Sequence, residues 1–131
     1  INYLVRVVQP LLRWLFPHIP KDHPAFASIS MNMSANILGL GNAATPLGIK
    51  AMQQLQTLNH DKQTASDEMC MFLALNTSSV QLLPPVTLIA LMGTQISELM
   101  IPIILATSCS TITAVIVARL YAARRRATCS N

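Results

Sequence analysis

The sequence predicts an all-α fold: a polytopic membrane protein with a re-entrant helical hairpin or broken helices and a C-terminal transmembrane helix. Three observations lead there. Of the 131 residues, 52% are hydrophobic and only 11% are charged, where ordinary soluble domains carry about a quarter charged. The charges are also unevenly placed, with no Asp, Glu, Lys or Arg between Asp22 and Lys50, between Glu68 and Glu98, or between Glu98 and Arg119. Each gap is long enough to matter, since about 20 apolar residues cross a bilayer as a helix. Third, two of the gaps carry Asn, Gly, Ser and Pro inside them, whereas residues 99–118 read as one transmembrane helix.

The elements follow in order. Over residues 3–16, Leu4, Val7, Val8, Leu11, Leu12 and Leu15 recur at helical spacing and Arg6 and Arg13 share the opposite face, which predicts an amphipathic helix too short to span. Pro17, Pro20 and Pro24 stop it, and Lys21, Asp22 and His23 mark a water-exposed turn. A second helix is expected over 25–38, only about 20 Å long at 1.5 Å per residue. It meets 39–46 (GLGNAATP), where two glycines and a proline predict non-helical backbone, and helical periodicity resumes over 47–58. The expected shape is two half-helices around an unwound tip.

Residues 57–68 form the one long hydrophilic stretch, and Ser66 with Asp67 and Glu68 supplies an N-cap and first-turn acids for a helix beginning near Asp67. That helix carries Asn76, Thr77, Ser78 and Ser79, followed by Pro84 and Pro85, a second polar interruption. A short polar turn over 93–98 precedes the last helix. No linker divides the chain, which reads as one membrane domain over 1–131. Because the first residues are already helical in pattern and no initiator Met is present, Ile1 is not expected to be the natural start.

The net charge of +4 owes much to Arg124, Arg125 and Arg126, directly after the clearest span. This is a positive-inside signal rather than a nucleic-acid footprint, and it predicts a multi-pass membrane protein with a cytoplasmic C-terminus. A full crossing by 25–58 would put Arg6, Arg13 and Lys21 outside. A re-entrant hairpin keeps them inside and is favoured.

Catalysis has little to act with. There is no GxSxG, and no acid lies in a charge-free segment to orient a base, so no enzyme is expected. His18, His23 and His60 sit in turn or loop contexts without HxxxH or HExxH spacing, and Cys70, Cys109 and Cys129 are too far apart for a CxxC motif. No metal or cofactor is expected, and the cysteines read as small core or lipid-facing residues.

The polar residues inside the apolar segments are the candidates for function. Non-helical backbone at membrane depth is tolerated only against protein or a water-filled cavity. Gly39, Gly41, Asn42 and Thr45 are therefore expected to face inward. Asn32 and Asn36 are one turn apart and share a face, while Ser34 between them cannot share it. With Asn76, Thr77 and Ser78 they make two polar interruptions of the kind that build a transporter site from broken helices. The same residues could equally hydrogen-bond neighbouring helices, with the glycines permitting close packing.

The stretch MNMSANILGLGNAATPLGIKAMQQLQTLN over 31–59 closely resembles the signature of the spore maturation protein A family, which carries the nucleoside-recognition (Gate) domain. The similarity extends to LFPHIP over 15–20, FLALNTSS over 72–79, ILAT over 104–107 and the basic end. The resemblance implies an integral membrane protein with a spore maturation protein B-like partner. It further implies a permease-like role in moving a small polar solute or nucleoside, or alternatively a structural or assembly role in the envelope. The bilayer is the other expected partner, and nucleic acid is not one.

Overall fold

The computed structural model describes residues 2–20, 22–78, 89–91, 93 and 96–129. Among these, five helices of at least 12 residues carry the fold: α1 (Asn2–Leu15), α2 (Pro24–Ile37), α3 (Gly41–Leu58), α4 (Asp67–Ser78) and α5 (Ile96–Cys129). No strand occurs among the described residues. The interruption expected at Ser79, Pro84 and Pro85 lies outside them, as do Lys21 and Thr94.

The helix α2 is buried on most of its faces, Ser28, Ser30, Asn32 and Ser34 included, as a helix enclosed by others is. Ala25, Phe26, Ile29 and Met33 are buried in one cluster with Val8, Leu12 and Leu15 of α1, Ala51 and Leu55 of α3, and Met71, Phe72 and Leu75 of α4. Phe16 and Ile19, in the connection after α1, complete it. Two buried serines of α2 satisfy themselves one turn back: Ser30 Oγ donates to the Phe26 carbonyl and Ser34 Oγ to the Ser30 carbonyl, both at 2.8 Å. Ser34 thus faces away from Asn32 and Asn36, as the spacing requires.

The most extensive helix contact joins α2 to α3, and the next joins α4 to α5. The α2–α3 pair is an antiparallel hairpin. His23 at the start of α2 lies 3.4 Å from Thr57 at the end of α3, while Asn32 midway along α2 reaches the Ala44 carbonyl near the start of α3. The start of α2 is capped by His23, whose Nδ1 accepts from the Ala25 amide at 3.2 Å, with Pro24 at the first helical position.

The tip differs from expectation. Only 38–40 leave the helix, and α3 already begins at Gly41 with Pro46 inside it. A proline in the second turn removes one amide donor, and its fixed φ is already helical, so one lost bond does not stop the helix. The reversal is made by Gly39 alone, at φ 71°. Its amide donates to the Asn36 carbonyl and the Leu40 amide to the Ala35 carbonyl, both at 2.9 Å. This is the Schellman arrangement, which needs the left-handed conformation at that position.

Ser66 caps α4 as expected, its Oγ accepting from the Met69 amide at 3.3 Å. The last helix is longer than the charge-free run, 34 residues from Ile96 to Cys129. Glu98 therefore lies in its first turn rather than in a loop, and the Arg triplet is helical. Within Glu98–Ala127 an 18-residue window has a mean hydropathy of 2.1 and no buried residue, so by length and composition this helix could cross a membrane. Ile101, Leu105, Ile112, Val117 and Leu120 all stand exposed along it. Such a surface is tolerable against lipid and not against water. Among the described residues the fold is all-helical, with one candidate membrane-spanning helix at the C-terminal end. Cys109 is exposed on that helix and Cys70 on α4, so neither is a core residue.

Candidate functional site

A cavity of about 500 Å³ opens between the α2–α3 hairpin and α4. The antiparallel pairing brings Asn32 and Asn36 of α2 opposite the first turns of α3, and α4 adds Asn76 and Phe72. The walls are otherwise Gly41, Ala44, Thr45, Gly48, Ile49, Met52, Gln53 and Leu73. Few polar groups on largely apolar walls is the composition of a small-molecule site.

The amides form a connected chain. Asn32 Nδ2 donates to the Ala44 carbonyl at 2.7 Å, Asn36 Nδ2 donates to Asn76 Oδ1 at 2.9 Å and to Asn32 Oδ1 at 3.4 Å, and Asn76 Nδ2 donates to the Phe72 carbonyl at 3.0 Å. One network thereby ties three helices. Asn32 is only 2% exposed, so loss of its partners would strand a buried amide at about 1–3 kcal/mol.

The structure divides the residues singled out from the sequence. Asn32, Asn36, Gly41, Thr45 and Asn76 come together around the cavity. Thr45 is exposed there, its Oγ1 bonding only the Gly41 carbonyl of its own helix at 3.2 Å. Asn42 is exposed and does not line the cavity. Gly39 shapes the turn behind it. Thr77 is exposed and bonds back to the Leu73 carbonyl, and Ser78 turns toward α5, accepting from Thr111 Oγ1 at 3.3 Å. Gly41 meets no crowding, since a Cβ built there has nothing within 4 Å. Close packing, one of the two uses the sequence offered for this glycine, is therefore not what it serves, because the first residue of α3 opens onto the cavity.

Gly48 is the residue that sequence reasoning missed. A Cβ there would sit 3.0 Å from Asn32 Nδ2, so the absent side chain is what lets that amide reach the Ala44 carbonyl. The spacing Ala44-x-x-x-Gly48 was the available signal, since small residues one turn apart mark close helix approach.

A second polar group lies where the feet of α2 and α3, the start of α4 and the end of α5 meet. Asp67 pairs with Arg126 at 3.2 Å and Arg125 at 3.7 Å, Arg125 also donates to the Ala65 carbonyl, and His18 lies 3.1 Å from Glu68. Nearby in the 59–66 loop, the Thr64 side chain and the Gln63 amide both bond the Asp61 carboxylate and lower its pKa from 3.8. No group of three or more His, Cys, Asp or Glu able to hold a metal occurs among the described residues.

Comparison with known proteins gives two findings. The family described as Gate, nucleoside recognition, matches residues 1–95. The chain is also 45% identical over 124 residues to spore maturation protein A of Bacillus subtilis (strain 168), a match covering 92% of this chain and 63% of that relative. The chain thus spans a little under two thirds of the relative's length. No solved structure matches.

Proposed function

The chain belongs to the nucleoside-recognition (Gate) family of membrane proteins, and from that premise we propose that it is a permease-like subunit acting with a B-type partner in the bacterial inner membrane. The cavity lined by Asn32, Asn36, Thr45 and Asn76 carries this reading. It would hold a small polar solute, a nucleoside being the class that the family description suggests, at the end of a helical hairpin that enters and leaves the membrane from one side.

Depth supports the re-entrant part. Asn36, one turn from the tip, touches Asn76, and Ser78, two residues on, touches Thr111 of α5. Thr111 lies near the middle of the charge-free run of α5. The tip therefore reaches about mid-span, as half-helices flanking a transporter site do. The Arg triplet at the foot of α5 supports a cytoplasmic position for that end.

A structural role is the second reading, favoured by the amides' bonding to one another and to backbone. In it the protein serves spore maturation or the envelope by assembly, and the network only holds helices together. Uptake of labelled nucleosides by vesicles carrying both subunits separates the two when the Thr45→Val variant is compared with the parent. Thr45 faces the cavity but bonds only its own helix, so a solute path predicts uptake lowered several-fold at unchanged abundance. Uptake absent from the parent, or untouched by the substitution, would leave the structural reading standing.

A further inference from the structure

We propose that the groove between α1 and α5 is a binding site for one anionic phospholipid, with the acyl chain lying in the groove and the phosphate at Arg119. The groove has a volume of about 370 Å³ and is walled by Val8, Leu11 and Trp14 of α1, Met33 of α2, Leu75 of α4, and Ile112, Val115 and Ile116 of α5, among others. It exposes no polar surface. It is separate from the amide-lined cavity and owes nothing to the transport reading.

Charge at one end selects the occupant. Along α5 the stripe Ile112, Val115, Ile116 continues one turn further to Arg119. The Arg119 guanidinium lies 3.6 Å from the Trp14 ring centroid and donates to the Trp14 carbonyl at 2.7 Å. The acidic side chains nearby are spent elsewhere, Asp67 on Arg125 and Arg126 and Glu68 on His18. Among the described residues neither Arg119 nor the exposed Arg13 beside Trp14 has a carboxylate partner. A positive, half-buried group that already has a ring and a carbonyl lacks only an anion.

Depth agrees with a lipid. Arg119 is the first charge after the run 99–118, so it lies about 15 Å from the centre of that run at 1.5 Å per residue. That is the edge of a hydrocarbon core about 30 Å thick, where phosphates and aromatic belts are found. From there the groove runs inward to Ile112, the direction an acyl chain takes. Basic sites between helices on the cytoplasmic side recognise anionic headgroups in this manner.

Trp14 is the one tryptophan of the chain, so its fluorescence reports this site alone. The protein is reconstituted in vesicles doped with phosphatidylglycerol or phosphatidylcholine, each brominated on the acyl chain near the headgroup. The expected result is quenching by the anionic lipid at about fivefold lower mole fraction, the preference one basic residue confers. Arg119→Gln should abolish that preference while leaving quenching by phosphatidylcholine intact, and Arg119→Lys should keep it. Equal quenching by the two headgroups, or a preference that survives Arg119→Gln, would overturn the assignment. So would a Trp14 that neither lipid quenches, since the groove would then be filled by another helix.

Discussion

Three glycines near the tip do different work, and substitution should tell them apart. Gly39 alone requires the left-handed region, at φ 71°, so Gly39→Val should cost about 1–3 kcal/mol. Gly48→Val should be comparably harmful for another reason, because it pushes Asn32 off the Ala44 carbonyl. Gly41→Ala should leave stability within a few tenths of a kcal/mol, since its Cβ enters open space. Thermal unfolding in detergent gives all three, and a Gly41→Ala loss equal to that of Gly39→Val would refute the distinction. Asp61 offers a pH test at the same scale. Its pKa is lowered chiefly by the Thr64 side chain and then by the Gln63 amide, so the loop is stabilised above the ordinary carboxylate range and loses that support as pH falls through the depressed value. The carboxyl titration followed by NMR should move up in Thr64→Val. An unmoved midpoint would show that the hydroxyl contributes nothing.

At the scale of elements, much was legible and the misses have physical causes. The charge-free lengths marked α2, α4 and α5, and Ser66 with its acids marked the region where α4 starts, at Asp67. Gly39 and Pro46 look alike as breakers in a sequence, but only Gly39 sits where the backbone must reverse, and Pro46 falls where α3 can spare one bond. The residues of the candidate cavity were legible in Asn32, Asn36, Thr45 and Asn76, whose polarity stands out in apolar surroundings. Their key partner was not, because the Ala44 and Phe72 carbonyls carry no side-chain signature. Nor could spacing say that Ser78 turns to α5 while Asn76 turns to α2. The junction of α4 with α5 is testable as an element. Asp67→Asn removes both arginine pairs and a first-turn acid, and the loss should be about 1 kcal/mol, shrinking in high salt. A melting temperature unchanged at low salt would show that apolar packing alone holds that end.

For the whole molecule, both feet of the α2–α3 hairpin lie at one end, His23 beside Thr57, and the basic end of α5 joins them through Asp67 and Ala65. A cysteine placed at Asn59 or His60 in an otherwise cysteine-free protein should be shielded from impermeant thiol reagents applied outside the cell. One placed at Thr94 should be labelled, and the reverse pattern would reverse the proposed orientation. The amide chain across the centre carries a consequence of its own. Because the Ala44 and Phe72 carbonyls can only accept, they fix Asn32 and Asn76 with their Nδ2 groups outward and their Oδ1 atoms toward Asn36. Asn36 must then donate in both directions. A proton wire needs donors and acceptors in one continuous order, each link passing a hydrogen on to the next. Here the order diverges at Asn36 toward Asn32 on one side and Asn76 on the other, so these links run in no single direction along which a hydrogen could be handed from the α3 side to the α4 side.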